Sequence, residues 1–447
     1  MNRFSSLLKR IALESYFLYF TVFLASRFLY WAFCPMNALV FVKDSLRYDK
    51  LSQQILDGNY NLDIGSFIVA PFYPFFVATA KVLFGTYWLL AIGCIQNFMA
   101  AVAGVYLLKI LHILTPNIKS KYWLSILYAV YPFTLFYTYA LLQESLFQSF
   151  YIMACYYFLK TLKPHLPQPF AVIKFSFLFS LAFLTKSHIL LGVPIVFLLW
   201  TLLKEPIILK LKKIGQFCII CGVMTLPNGL YNYYHNGAYT LSSDGFAMFF
   251  FWGQSEYAYK RDVLHVSIDA LFEAKIQERD TAYLLDLEGE RFSEDPIVVS
   301  EQRLLQLPRG KNRDKYFWKS ALVWIQTHPN DYFWLKVEHF RHGISPGVSS
   351  PPYSFSTWLM VLIVTLPIYF LGYVGMFNFL RQDFRGHMWS LLPFGTLLLL
   401  CSIAICSMRF RIITIEPTLL IYTALLLGNC RKNQGSFIPS TTTETLS

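Results

Sequence analysis

Charge is scarce in this sequence: 14% of its 447 residues are Asp, Glu, Lys or Arg, against 55% hydrophobic and 18% aromatic. A soluble globular chain carries roughly a quarter charged residues, and a mean hydropathy of +0.44 lies far above the soluble range. The shortage excludes an ordinary water-facing surface. No Gly-rich phosphate loop of the nucleotide-binding kind is present, and no Asp-x-Asp stands where a nucleotide-sugar enzyme would hold its metal. No internal repeat of the kind many transporters carry is found. The first apolar run, about 16–33, lacks a small-residue cleavage site and reads as a retained helix. The eight cysteines are scattered, mainly within apolar runs, and read as packing residues.

What the sequence has in abundance is long apolar runs. A hydrocarbon core of roughly 30 Å needs about 20 apolar residues per helix. Runs and their breaks predict helices near 13–34, 87–113, 121–140, 141–162, 170–186, 188–203, 214–234, 355–380, 388–407 and 410–429. The expected fold class is an all-α polytopic membrane protein of about ten transmembrane helices with two large non-cytoplasmic loops. Its expected organisation is an N-terminus and first span at 1–34, a first outer loop with short interfacial helices at 35–86, and spans two to seven at 87–234. A second outer loop at 235–354, spans eight to ten at 355–429 and a disordered cytoplasmic tail at 430–447 complete it.

The net charge of +12 resides in short clusters between apolar runs, such as Lys119/Lys121, Lys204/Lys210/Lys212/Lys213 and Arg431/Lys432. That pattern argues against nucleic acid and for membrane orientation. With ten spans every cluster falls on the cytoplasmic side, provided that Pro71–Phe84, only about 14 residues long, is interfacial or re-entrant. Both long hydrophilic loops and the turns around 140 and 187 then share the outer face, where an active site is expected.

In the first loop Asp44, Tyr48, Leu51 and Ile55 recur at helical spacing, which puts Asp44 in the first turn of a short helix and on the same face as Tyr48. Asp44 serves there as a helix cap, as a catalytic carboxylate, or as both. Asp49 lies on the opposite flank. The series Asp44-x-x-x-Tyr48-x-x-Leu51, Ala70-Pro-Phe-Tyr-Pro74, Tyr131-Pro132, Leu142-Gln-Glu144, Thr185-Lys-Ser-His188, Pro227 to Asn232, Ile325-Gln-Thr-His-Pro329 and Met408-Arg-Phe-Arg411 resembles bacterial membrane glycosyltransferases of clan C (GT-C). These are related to protein O-mannosyltransferases and the aminoarabinose transferase of lipid A. Lys186, Ser187 and Tyr231 depart from the Arg, Pro and Arg usual at those positions of the family.

The resemblance implies transfer of a sugar from a polyprenyl-phosphate donor to a glycan, lipid A or protein acceptor, in a multi-pass protein of a bacterial inner membrane with its site toward the periplasm or exterior. It implies Asp44 as general base, with Asp49 as its rival, since the acceptor must lose a proton. The leaving phosphate needs cations, not a general acid. Lys186, Arg409, Arg411 and Arg47 are the candidates, against the alternative that Arg409 and Arg411 snorkel to headgroups. Glu144, Tyr48, Asp49, Tyr73, His188 and Asn232 are candidates for sugar or acceptor contacts, although a lone histidine near a helix start also fits a structural role. No cofactor and no metal are expected. Competing readings are a transporter or flippase, a surface-polysaccharide polymerase or ligase, and an inactive adaptor.

Overall fold

The structure, a computed structural model, describes residues 2–33, 43–58, 69–163, 170–236, 311–347, 355–404 and 408–429, with short pieces between 239 and 264. Among them there is no strand. Most of the second hydrophilic loop and all of the tail expected at 430–447 lie outside the described residues.

The chain opens with α1 (Asn2–Phe33), α2 (Lys43–Leu56), α3 (Phe72–Phe84) and α4 (Trp88–Leu114). It continues through α5 (Ile118–Val130), α6 (Pro132–Tyr139), α7 (Glu144–Leu162) and α8 (Ala171–Thr185). A 3-10 turn at Ser187–Gly192 leads into α9 (Val193–Thr201), and α10 (Ile207–Asn236) follows. The last third holds α11 (Lys311–Thr327), α12 (Pro329–Ile344), α13 (Phe355–Gln382), α14 (Leu391–Ile403), α15 (Met408–Thr414) and α16 (Glu416–Asn429).

Among the described residues four segments are long and apolar enough to cross a membrane: Tyr16–Phe33, Phe72–Leu114, Leu359–Gln382 and Phe384–Ile403. Two shorter apolar helical stretches, Ala171–Thr185 and Ser187–Thr201, accompany them. Helix α7 is the hub. All but three of its 19 residues are buried, as expected for a helix enclosed on every side. It packs on α4 and α8, and α16 packs on α5 and α13. Close approach has visible causes: Gly104 faces the rings of Phe23 and Tyr128, and Gly372 and Gly375 face Leu419 and Tyr422, leaving no room for a Cβ. Small residues serve this purpose between membrane helices.

Two runs expected as single helices are broken. The run 121–140 divides at Tyr131, and 410–429 divides at Ile415. Pro132 and Pro417 follow those breaks, and proline has no N–H to give the carbonyl one turn earlier. The short segment expected to be interfacial is helix α3, which turns into α4 through Gly85 at φ 50, a left-handed value natural to glycine. One side of α3 is buried, Tyr73, Val77 and Ala80 included, while Phe75, Val82, Leu83 and Phe84 are exposed.

The cysteines are more varied than packing alone requires. Cys401 is disulfide-bonded. Cys94, Cys155, Cys218 and Cys221 are free thiols, the last two in a Cys-x-x-Cys spacing on α10.

Candidate active site

Helix ends that are remote in sequence meet around a cavity of about 620 Å³. Asp44, in the first turn of α2, and Tyr48, one turn later, both line it, the shared face their spacing predicts. Glu144 opens α7, Lys186 stands in the extended step between α8 and the following 3-10 turn, and Arg409 lies near the start of α15. All three line the cavity, together with Arg47 and His188. Leu190, Leu191, Leu241, Leu400 and Ala404 supply an apolar wall. In α7 and α8 the ends at the cavity are opposite to those that carry Lys160 and Lys174.

The charges are interlocked. Lys186 Nζ lies 2.9 Å from Glu144 Oε1 and 4.9 Å above the Phe410 ring. The Arg409 guanidinium donates to Asp44 Oδ2 and stands 3.8 Å from Glu144 Oε1. Glu144 is only 1% exposed, whereas the side chains of Asp44 and Arg409 are 35% and 37% exposed. A buried carboxylate is tolerated only when cations share it, and here two do. Burial pushes the Tyr48 hydroxyl well above its ordinary range, and the carboxylates of Glu144 and Asp44 add to the effect. Tyr48 is therefore a neutral hydroxyl at the cavity wall. His188 is packed between the rings of Phe147, at 5.1 Å, and Phe410, at 4.6 Å.

Four candidates lie away from the cavity. Arg411 is spent on structure: Nε faces Glu416 Oε1 at 3.3 Å, Nη1 donates to the carbonyls of His342, at 3.2 Å, and Ser345, and Nη2 donates to Gly347. It fastens α12 to α15 and α16 and does not join Arg409. Asp49 pairs with Lys81 at 2.8 Å, on the flank of α2 that faces α3. Tyr73 stands behind Tyr48, rings 4.8 Å apart, and donates to Gln96 Oε1 at 2.8 Å. Asn232 donates to Thr240 Oγ1 at 2.6 Å, and Asn228 to the Ser242 carbonyl at 2.9 Å. Together they hold residues 240–242, which line the cavity, against α10.

Two glutamines inside apolar helices position the site. Gln96 donates to the carbonyls of Thr138 and Ala140, at 3.2 and 3.0 Å, and so holds the turn before Glu144. Gln148 donates to the Ile412 carbonyl at 3.1 Å, tying α7 to the helix of Arg409. The signal for both was a costly polar residue within an apolar run. Gln143, also on the cavity wall, carried no such signal. Among the described residues no group of three or more His, Cys, Asp or Glu side chains is placed to hold a metal.

No protein-family model matches the sequence, and no curated protein matches it. The fold is similar to that of the archaeal oligosaccharyltransferase AglB from Archaeoglobus fulgidus, solved with an inhibitory peptide and a dolichol-phosphate, at a TM-score of 0.51 and 14% identity. The similarity covers 98% of this chain and 53% of that one, so the chain spans about half the length of the archaeal protein. ArnT from Cupriavidus metallidurans, solved with undecaprenyl phosphate, is similar at 12% identity over 92% of this chain and 76% of its own, with a TM-score of 0.37. The chain is an integral membrane protein whose fold is similar to that of the archaeal oligosaccharyltransferase.

Proposed function

We propose that the protein is a glycosyltransferase that moves a hexosyl or pentosyl group from a polyprenyl-phosphate carrier to an acceptor hydroxyl or amide at the non-cytoplasmic face. The observation that carries this reading is the convergence of Asp44, Glu144, Lys186 and Arg409, from four separate segments, in one cavity that also has an apolar wall. A lipid phosphate needs both halves: cations for its head and an apolar surface for the first units of its chain.

The chemistry then follows from the geometry. Lys186 and Arg409 hold the donor phosphodiester, Lys186 as a compact charge and Arg409 as a planar fork, with Arg47 as a further cation on the wall. A phosphate entering the cavity competes with Asp44 for Arg409 and frees carboxylate oxygen to accept a proton. The acceptor oxygen or nitrogen forms a bond to the anomeric carbon, its proton passes to Asp44, and the bond between that carbon and the phosphate oxygen breaks. Polyprenyl phosphate leaves with the electron pair, stabilised by the same two cations. Glu144 acts as a positioning residue, since it fixes both. Arg411, Asp49, Tyr73 and Asn232 support the framework in this scheme.

The test is transfer from a radiolabelled polyprenyl-phosphate sugar into glycolipid and glycoprotein fractions of membranes that express the protein. Asp44→Asn keeps size and hydrogen-bonding capacity but removes the base, and a loss of at least about 100-fold in rate is expected. An Asp44→Asn protein that is monodisperse and transfers at the parental rate removes Asp44 as the base.

A further inference from the structure

We infer that Gln143, Glu144 and His188 form a subsite that binds hydroxyl groups of the transferred sugar. The inference rests on the transferase reading above and specifies its substrate class. Gln143 Oε1, Glu144 Oε2 and both ring nitrogens of His188 are buried and have no hydrogen-bond partner among the described residues. All three residues line the same cavity. Buried polar atoms are seldom left unpaired, because each loses its water without a replacement. Four such atoms in residues of one cavity mark the place of a ligand with several polar groups.

Their chemistry selects the ligand. A carboxylate oxygen and an amide oxygen accept only, and a neutral imidazole offers one donor and one acceptor. Hydroxyl groups satisfy both kinds at once. The subsite also lies where the sugar must be. Glu144 Oε1 is held by Lys186 at 2.9 Å and neighboured by Arg409 at 3.8 Å, so its free oxygen adjoins the proposed phosphate position, and the anomeric carbon is bonded to that phosphate.

The experiment measures binding to the full-length protein in detergent by competition. The probes are undecaprenyl-phosphate glucose and undecaprenyl methyl phosphate, a phosphodiester of equal charge without a sugar. Wild-type protein is expected to bind the glucosyl probe about tenfold more tightly than the methyl ester. His188→Ala and Gln143→Ala are expected to remove most of the glucosyl advantage and to leave methyl-ester affinity within about twofold. His188→Gln, which keeps a donor and an acceptor, is expected to retain more of the advantage and replaces His188→Ala should that variant not fold. Equal wild-type binding of the two probes, or variants that weaken both alike, overturns the inference while the transferase reading stands. A wild-type protein that binds none of the probes overturns that reading, and the inference with it.

Discussion

Arg409 and Arg411 stand on the same short helix with one residue between them, and their surroundings are opposites. The Arg409 side chain is 37% exposed and reaches two carboxylates across a cavity. Arg411 is 2% exposed, and its nitrogens are committed to Glu416 and to three backbone carbonyls. Glu416 in turn accepts from the hydroxyls of Tyr131 and Tyr369. A cation that serves a ligand must be reachable and must have partners the ligand can displace. Backbone carbonyls on a packed helix end are not displaceable, whereas Asp44 at a cavity edge is. The two arginines thus separate a binding group from a structural one that carries the same charge.

The largest expected effect breaks the structural member. Arg411→Ala strands Glu416, which is fully buried, and removing one partner of a buried pair costs about 3–5 kcal/mol. Loss of monodispersity or a large fall in thermal midpoint is expected by fluorescence-detected size exclusion, and an Arg411→Ala protein as stable as its parent contradicts the structural assignment.

A further cation, the buried Lys336, sharpens the contrast by pH. Lys336 on α12 lies 3.3 Å from the Gly253 carbonyl and 3.4 Å from His339 Nδ1. Burial lowers it to about 7, although the Asp262 charge opposes the shift. A lysine whose folded value is depressed binds fewer protons folded than unfolded, so stability rises with pH between about 7 and the ordinary lysine value near 10.4. A thermal midpoint that climbs across that window in the parent, and climbs less in Lys336→Met, is the expected result. Identical profiles count against it.

The smallest effect belongs to Asp49. Its pair with Lys81 is part-exposed, at 39% for the Asp49 side chain, and such pairs contribute about 0–1 kcal/mol. Asp49→Asn is expected to leave both stability and transfer within about twofold of the parent. A collapse of transfer without unfolding makes Asp49, and not Asp44, the base.

Much of this was legible in the sequence because lipid is a demanding solvent: every backbone group must pair internally, so long apolar runs are helices. Asp44 and Tyr48 were placed on one face by spacing alone. The breaks at Tyr131 and Ile415 were missed because hydropathy is continuous through them, although Pro132 and Pro417 stood next to both. The convergence of Glu144 with Lys186, 42 positions later, and of Asp44 with Arg409, 365 positions later, comes from tertiary packing and leaves no local trace. For the same reason Arg409 and Arg411 were indistinguishable: partners on α2, α12 and α16 decide their roles. Gln96 and Gln148 were readable as buried polar residues, but not what they would bind.

The claim that the cavity takes a lipid phosphate is tested most directly by the affinity of detergent-purified protein for undecaprenyl phosphate, measured for the parent and for the Lys186→Ala/Arg409→Ala double variant. With both cations removed and the fold retained, the account predicts affinity at least about 100-fold lower, roughly tenfold for each charge-assisted contact. Affinity unchanged from the parent contradicts it.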